Sequence, residues 1–460
     1  MILYTMNSIV LPTLIFVLAT ISVLPLLISI KYRRFDFFEP INFFSYFMII
    51  TVYSFIYRIY FTDRALRYQS QISWSFEQGM TIILVLFILF YSSTIIGYYL
   101  KVPYDMIYRV SISKKFGNVR FRLGKYSLVY ILIGAVFYIL LVDDALRGNP
   151  LLLFTTSEPR SEVFIEAYHL RLGAQMLHIG YFLWIVSTVS KGKSPGILQL
   201  TLFIPVVSLF LLLGSRSSAL SLVVVLAVFL YYVWIENLIP TKRKYFKLPN
   251  DRLHKAFKLV IIPVVGTFIL VFSASIRYLR RGWTIERTFS EVNITRIPTL
   301  NYMDQFDNLL LLLEYSPEEI GFYFGSYYIR SLLNFIPRAF WDSKPPLSMA
   351  AELRETVFPD RTGGLPPGTI GELYVNFGYP TIIVGGLILG MFYRISYNML
   401  RKSSSSPLFL YIYSYILVTF VPGSLFSNNS LFNVFSYLLL LSPILILHLL
   451  HKTKLIQDRV

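Results

Sequence analysis

The chain has 460 residues, of which 55% are hydrophobic, 17% aromatic and 15% charged. Soluble proteins carry about 25% charged residues, so this composition excludes an ordinary soluble enzyme and predicts a polytopic membrane protein. The absence of cysteine excludes disulfides, thiolate metal ligands and a cysteine nucleophile. The formal net charge of +17 arises largely in loops between apolar runs, a pattern that indicates membrane topology, and we predict no nucleic-acid partner.

Apolar runs of about 20 residues, the length that crosses a ~30 Å hydrocarbon core, recur along the chain. We predict eleven membrane-spanning helices, of which the second contains Arg58 and the sixth and seventh are short. They lie at 8–30, 40–61, 78–100, 127–146, 172–190, 196–213, 218–238, 257–276, 380–399, 406–422 and 431–450. The pattern therefore predicts an all-α polytopic integral membrane protein.

The basic residues predict the orientation of these spans. Segments 101–126 and 239–258 each carry seven Lys or Arg, and positively charged loops stay in the cytoplasm. This assignment puts the N-terminus outside and the C-terminus inside, with fifteen of sixteen lysines facing the cytoplasm. It divides the chain into a membrane domain of eight spans (1–276), a large external loop (277–379), and three final spans with a cytoplasmic tail (380–460).

The external loop is a 103-residue polar segment with nine arginines, one lysine and no histidine. Membrane topology does not explain why arginines are retained on the outer side. One explanation is that their planar guanidinium groups bind phosphate or carboxylate. Ion pairing with the loop's twelve carboxylates is the alternative. Arg338 and Lys344 bracket Phe340 and Trp341, which resembles a sugar platform beside a phosphate clamp. An interfacial tryptophan belt is the alternative interpretation of that motif.

Two carboxylates are candidates for a general base. Glu372 follows a glycine-rich segment close to the membrane edge, where partial desolvation and a nearby Arg338 or Arg361 would tune its proton affinity. Asp360 is the rival candidate, and ion pairing without catalysis is the alternative for both. No HExxH motif, histidine pair or aligned Ser/His/Asp set occurs, so we predict no metal and no cofactor.

Two further outward arginines lie outside the loop. Arg216 lies in GSRSS at 214–218, close to the bilayer, where we favour anion binding over snorkelling to the headgroups. Arg160 lies in segment 151–172, which is too polar to span and too apolar to be a free loop. An amphipathic interfacial helix with internal ion pairs is the alternative interpretation of that segment.

These features together resemble the Wzy-type O-antigen or oligosaccharide repeat-unit polymerases. The resemblance rests on the polytopic architecture, GSRSS at 214–218, PRAFWDSKP at 337–345 and GELYVNFG at 371–378. One departure is that the paired Arg-x10-Gly loop motifs of some members are absent. This departure counts against the two-loop capture model that depends on those motifs.

The resemblance implies a multi-spanning, lipid-sugar-using glycosyltransferase of the bacterial inner membrane, with its active site facing the periplasm. Such an enzyme transfers a growing glycan from undecaprenyl pyrophosphate onto a new lipid-linked repeat unit and releases undecaprenyl pyrophosphate. The product would be an O antigen or a similar surface polysaccharide. The expected partners are the undecaprenyl-pyrophosphate-linked oligosaccharide, membrane lipids and a chain-length regulator protein.

Within this scheme, the candidate residues divide into two groups. We expect Glu372 to act as the general base, with Arg338 and Arg216 on the pyrophosphate, so these three are the predicted catalytic residues. The residues predicted to bind substrate are Arg361, Lys344, Trp341, Tyr374, Asn376, Arg160 and Asp360.

Two other functions stay open as alternatives. An O-antigen ligase transfers finished polymer to the lipid A core, and ligases resemble one another in carrying a functional loop histidine, which this loop lacks. A flippase or transporter would distribute charged residues through its spans and show two pseudo-repeated halves, whereas the large polar segment falls in one half only. We therefore favour the polymerase.

Overall fold

The computed structural model describes most of the chain, and the regular structure of the described parts is entirely helical. The described residues are 2–32, 35–62, 66–101, 123–149, 167–212, 216–239, 300–333, 341, 349–361, 363–402, 406–423 and 428–457. The predicted all-α polytopic fold is confirmed.

We number the described α-helices in chain order. They are α1 (Ile2–Lys31), α2 (Pro40–Tyr60), α3 (Phe76–Tyr99), α4 (Leu123–Leu146), α5 (Tyr168–Ser190), α6 (Ile197–Thr201), α7 (Phe203–Leu212), α8 (Arg216–Leu230), α9 (Leu300–Tyr315), α10 (Ser326–Leu333), α11 (Met349–Val357), α12 (Gly368–Phe377), α13 (Pro380–Lys402), α14 (Pro407–Gly423) and α15 (Asn428–Gln457). A short 3-10 helix occupies Gln69–Gln71, and a π-helical turn follows α8 at Tyr231–Ile235.

Among the described residues, 7 helices are long and apolar enough to cross a membrane: α1, α2, α3, α4, α5, α8 with its π turn, and α13. Three further apolar stretches, in α6–α7, α14 and α15, are shorter. The sixth predicted span is divided because Pro205 offers no N–H to the carbonyl of Thr201, where α6 ends. The predicted span at 257–276 lies outside the described residues, so the count of eleven stays a prediction.

Helices α3 and α13 approach each other through small residues. A Cβ atom placed on Gly390 would lie 2.0 Å from the carbonyl oxygen of Thr94, and one placed on Gly386 would lie 2.0 Å from Ser93 Oγ. Such close contact is typical of helix pairs in membranes, where van der Waals fit replaces the hydrophobic drive for association. This contact holds α13, the span that follows the polar segment, against α3 in the N-terminal half of the chain.

The described part of the polar segment 277–379 folds back against the spans. The Phe306 ring of α9 stacks on Phe55 of α2 at 4.2 Å between centroids, and it meets the Phe87 ring of α3 edge-on at 5.8 Å. The five residues Leu309–Leu313 are all buried, so this turn of α9 is enclosed on every side. Helix α12 packs on α13. The helices of the polar segment are therefore anchored in the membrane bundle.

A cluster of polar side chains joins several helices at the opposite end of α2. The buried carboxylate of Asp36 accepts hydrogen bonds from two residues of α13, Arg401 at 2.6 Å and Tyr397 at 2.9 Å. It also accepts one from Tyr232 at 3.0 Å, in the π turn after α8. This Asp36 cluster ties the α1–α2 connection to α8 and α13.

Candidate functional site

Two ion pairs attach α9 to the end of α2 and to the segment that follows it. Arg58 donates to both carboxylate oxygens of Asp307, at 3.2 and 3.3 Å, and both side chains are largely buried. Burial raises the pKa of Asp307, and the Arg58 guanidinium opposes that shift. Arg67 pairs with Asp304 at 2.7 Å on the surface. The charge inside the second predicted span is therefore balanced by a carboxylate of the polar segment.

The turn that precedes α12 is also attached to α9. The buried Asn308 side chain donates from Nδ2 to the Pro366 carbonyl at 3.1 Å. Gly368 begins α12 with a φ of 73°, in the left-handed region that favours glycine. Helix α9 therefore positions the first turn of α12.

Glu372, the predicted general base, lies on α12 and is half-buried. Burial raises the pKa of the Tyr328 hydroxyl, and the nearby charge of Glu372 raises it further. A tyrosine with a raised pKa keeps its proton and so acts as a hydrogen-bond donor. The site thus offers a partly desolvated carboxylate close to a neutral hydroxyl, which suits proton transfer from a sugar hydroxyl.

Tyr328 belongs to a tyrosine cluster at the start of α10, formed with Tyr323 and Tyr327. The Tyr323 and Tyr327 rings stack at 5.8 Å between centroids, and the Tyr327 and Tyr328 rings meet at 6.2 Å. Arg330 lies over the Tyr323 ring at 4.7 Å and donates to Glu352 of α11 at 3.2 Å. Tyr327 is buried, whereas Tyr323 and Tyr328 are half-buried. Because aromatic faces pack against the apolar faces of sugars, the rings of Tyr323 and Tyr328 are a candidate saccharide surface.

Two residues predicted to bind substrate, Tyr374 and Asn376, are buried in α12. The Asn376 side chain accepts a hydrogen bond from the Gly325 N–H at 3.2 Å and donates one to the Glu372 carbonyl at 2.7 Å. The Tyr374 hydroxyl donates to the Ser316 carbonyl at 3.2 Å, and burial raises the pKa of Tyr374 to about 12. These bonds hold the α9–α10 connection against α12, which is a positioning role. Direct substrate contact by either residue stays a prediction.

Arg361 and Asp360 lie in the exposed turn after α11. The Arg361 guanidinium lies 4.1 Å from the centroid of the Phe358 ring, and that ring packs against Tyr68 at 5.3 Å. A guanidinium stacked on a ring keeps in-plane N–H donors for phosphate oxygens. Asp360 is exposed whereas Glu372 is half-buried, and partial desolvation favours Glu372 as the base.

The other predicted site residues are described in part or not at all. Arg338, Lys344 and Arg160 lie outside the described residues. Arg216 is the first residue of α8, but its side chain lies outside them as well. Trp341 is half-buried. The roles of all five stay predictions.

The described residues contain no group of three or more His, Asp or Glu side chains that could hold a metal ion. This observation covers only part of the polar segment. The prediction that the chemistry uses no metal therefore stays a prediction for the whole site.

Sequence reasoning missed the tyrosine cluster and the pairing of Arg58 with Asp307. A signal for the cluster was present in GFYFGSYYIR at 321–330, in which five aromatic residues precede an arginine. Arg58 was visible as a charge in an apolar run, but its partner lies 249 positions away. No local pattern links the two residues.

Comparison with known families confirms the resemblance carried by the sequence motifs. A family model described as O-antigen polysaccharide polymerase Wzy matches residues 1–457, which is nearly the whole chain. Comparison with curated proteins and with solved structures returned no match. The long apolar helices agree with a multi-pass membrane protein of this kind. The chain belongs to the O-antigen polysaccharide polymerase family Wzy.

Proposed function

We propose that this protein joins lipid-linked oligosaccharide repeat units into a surface polysaccharide at the outer face of the bacterial inner membrane. The match of residues 1–457 to a polysaccharide polymerase family carries the proposal. Undecaprenyl pyrophosphate is the proposed carrier of both donor and acceptor. The bond between the sugar and the pyrophosphate already activates the glycan for transfer, so the reaction needs no nucleotide.

In the proposed reaction, a hydroxyl oxygen of the new repeat unit forms a bond to the anomeric carbon of the growing glycan. The bond from that carbon to the pyrophosphate oxygen breaks, and undecaprenyl pyrophosphate leaves with the electron pair. Glu372 accepts the hydroxyl proton, a contribution typically worth about 10²- to 10⁴-fold. Arg338, Arg361 and Arg216 stabilise the negative charge that develops on the leaving group.

The surroundings of Glu372 support this assignment. Glu372 is half-buried, and the Asn376 side chain donates a hydrogen bond to its backbone carbonyl. The negative charge of Glu372 raises the pKa of the nearby Tyr328 hydroxyl. The half-buried rings of Tyr323 and Tyr328 beside it offer aromatic faces that suit a saccharide. Trp341 and Lys344 are proposed to extend the saccharide and phosphate contacts.

The proposed orientation follows from the two ends of α2. The Asp36 cluster lies before the start of α2, whereas Arg58 lies in its last turn and pairs with α9. The basic segments 101–126 and 239–258 favour a cytoplasmic location for the loops at the Asp36 end. Glu372, which is attached through α9 to the Arg58 end, then faces outward.

Deletion of the gene in its native host tests the proposal. We expect surface glycolipids that carry single repeat units only, seen as loss of the ladder on a gel. Loss of all glycan from the lipid A core, with long lipid-linked polymer retained, would indicate a ligase instead. A normal ladder in the deletion strain would overturn the proposal.

A further inference from the structure

An apolar patch lies on the surface of the polar segment, beside the start of α13. It consists of Phe324, Ile329, Phe377 and Tyr379, which are all at least half exposed, and Phe324 reaches 72%. The Phe324 and Phe377 rings meet edge-on at 6.0 Å between centroids. Single exposed apolar residues are common, but several side by side mark contact with a membrane or a partner. The apolar patch is therefore a candidate interaction surface.

The fold holds Phe324 in place against the end of α12. The Phe324 N–H donates to the Asn376 carbonyl at 3.0 Å. The preceding N–H, of Tyr323, donates to the Val375 carbonyl at the same distance. Phe324 has a φ of 46°, in the left-handed region, which strains the backbone of a residue with a bulky side chain. Such strain is concentrated at functional positions, and here it accompanies a ring that points outward.

The apolar patch is continuous with the exposed side of a membrane span. The Ile382 N–H donates to the Tyr379 carbonyl at 3.1 Å, so the first turn of α13 already begins at Tyr379. Ile383 follows Tyr379 by four residues, a spacing that places both on one helix face. Ile383, Val384 and Ile388 are all exposed, and α13 is long and apolar enough to cross a membrane. This row faces lipid, and Tyr379 lies at its end, where hydrocarbon gives way to headgroups.

The composition of the patch fits the headgroup region of a bilayer. Three of its four side chains are aromatic and none is charged, and aromatic residues are enriched at membrane–water interfaces. The neighbouring cation, Arg330, is already paired with Glu352 at 3.2 Å. A saccharide site would need several hydrogen-bonding groups beside the rings, whereas only Tyr379 of the four side chains carries one. Lipid is therefore the occupant that the patch suits best.

We propose that the apolar patch inserts into the bilayer at the boundary between headgroups and acyl chains, and anchors the polar segment there. Surface elements of this kind enter that boundary by about 5–10 Å. In the orientation proposed above, the leaflet is the outer one. Glu372 precedes Phe377 by five residues of α12, which is about 8 Å along the helix axis. Insertion therefore places the turn that carries Glu372 close to the bilayer surface.

Spin labels measure the depth of the patch in the full-length protein. The chain has no cysteine, so Phe324→Cys and Ile329→Cys each take a single label, in liposomes of phosphatidylethanolamine and phosphatidylglycerol. Oxygen concentrates in hydrocarbon whereas a water-soluble nickel chelate stays outside, so the ratio of their collision rates with the label rises with depth. Ile388→Cys, on the exposed side of α13, calibrates the bilayer. Glu355→Cys, at an exposed position of α11, calibrates water.

We expect the ratio at Phe324→Cys and Ile329→Cys to lie several-fold above that at Glu355→Cys and below that at Ile388→Cys. Ratios equal to that at Glu355→Cys would overturn insertion, because the patch would then face water, as a saccharide or a soluble partner requires. Labels that neither reagent reaches would also overturn it, because protein, such as a second copy of the chain, would then cover the patch. Each position is measured separately, so Ile329→Cys decides the question if Phe324→Cys does not fold.

Fluorescence quenching gives a second measurement of depth. Bimane attached at Phe324→Cys is exposed to lipids that carry a nitroxide either near the headgroup or near the end of the acyl chain. We expect the shallow nitroxide to quench more strongly than the deep one, with the opposite order at Ile388→Cys. Quenching no greater than that at Glu355→Cys would contradict insertion.

Both measurements follow the position of the protein and not its product. A patch that faces water, together with a lost ladder in the deletion strain, refutes the anchor and leaves the polymerase proposal standing. An inserted patch together with a normal ladder supports the anchor and refutes the polymerase proposal.

Discussion

Arg58 of α2 and Asp307 of α9 form an ion pair at 3.2 Å, with only 13% and 3% of their side chains exposed. The pair joins a membrane span to the polar segment across 249 positions of the chain. Helix α9 also holds the turn before α12 through Asn308. The pair therefore contributes to the position of the helix that carries Glu372.

Breaking this pair from one side should destabilise the protein strongly. Arg58→Ala or Asp307→Ala leaves one buried charge without its partner, and we expect the free energy of unfolding to fall by about 3–5 kcal/mol. The double variant Arg58→Met/Asp307→Leu should recover much of that loss, because it buries no charge. Denaturant unfolding in detergent measures all three.

The surface pair of Arg67 and Asp304 supplies the matched control. Its side chains are 54% and 53% exposed, and solvent screening limits such pairs to about 1 kcal/mol or less. Equal losses from Arg67→Ala and Arg58→Ala would contradict the anchoring role of the buried pair.

Replacing the proposed base should remove polymer without removing protein. Glu372→Gln keeps the size of the side chain but cannot accept a proton, so we expect polymer formation to fall by about 10²- to 10⁴-fold. Glycan gels and quantitative immunoblots of the membranes measure product and protein. Glu355→Gln, at an exposed position of α11, should leave the ladder intact. A normal ladder from Glu372→Gln would remove the base assignment.

Substitution of Asn376 distinguishes a role in positioning α12 from direct contact with the substrate. Asn376→Leu leaves the Gly325 N–H and the Glu372 carbonyl without their side-chain partner, and we expect the free energy of unfolding to fall by about 1–3 kcal/mol. Asn376→Asp keeps an acceptor but loses the donor, so it should also be destabilised. Unchanged stability in both variants with lost polymer would instead support direct contact with the substrate.

The buried carboxyl group of Glu39 should make the stability of the protein depend on pH. It is buried beside the Asp36 cluster and accepts a hydrogen bond from Tyr98; burial raises the pKa of its carboxyl, and that hydrogen bond opposes the shift. A raised pKa means that the native state binds the proton more tightly than the unfolded state. The resulting stabilisation is present below the ordinary pKa of glutamate and is lost as pH rises through the raised value.

Glu39→Gln does not titrate and retains an oxygen that can accept from Tyr98. Its stability relative to the natural protein should therefore improve as pH rises above the ordinary pKa of glutamate, as measured by thermal unfolding in detergent. Glu39→Ala removes the acceptor and should be less stable throughout. A relative stability of Glu39→Gln that falls with rising pH would show that the shift has the opposite sign.

The membrane-spanning architecture was largely predictable from the sequence. Placing polar groups in hydrocarbon is costly, so membrane spans appear in the sequence as long apolar runs. Lysines accumulate in the cytoplasmic loops between them. Both patterns are local, so they can be recognised without knowledge of the fold. The split of the 196–213 span follows from Pro205, another local cause. The pairing of α3 with α13 through Gly386 and Gly390 depends on residues far apart in sequence, and local patterns do not reveal it.

The candidate site was predictable only in part. Glu372 stood out because a carboxylate near the membrane edge is unusual, and its half-buried position agrees with that interpretation. Asn376 was assigned to substrate from its motif, whereas its side-chain contacts lie within the protein. The link between Asp36 and Arg401 spans 365 positions, so only the tertiary fold makes it visible.

Reconstitution of the purified protein tests whether it joins lipid-linked repeat units. Proteoliposomes are supplied with undecaprenyl-pyrophosphate-linked single repeat units, and both the glycan lengths and the released carrier are measured. We expect a ladder of longer glycans that stay on the carrier, one undecaprenyl pyrophosphate released for each new bond, and neither product with Glu372→Gln. Repeat units that stay single in the presence of folded protein, or that are transferred only when lipid A core is supplied, would contradict it.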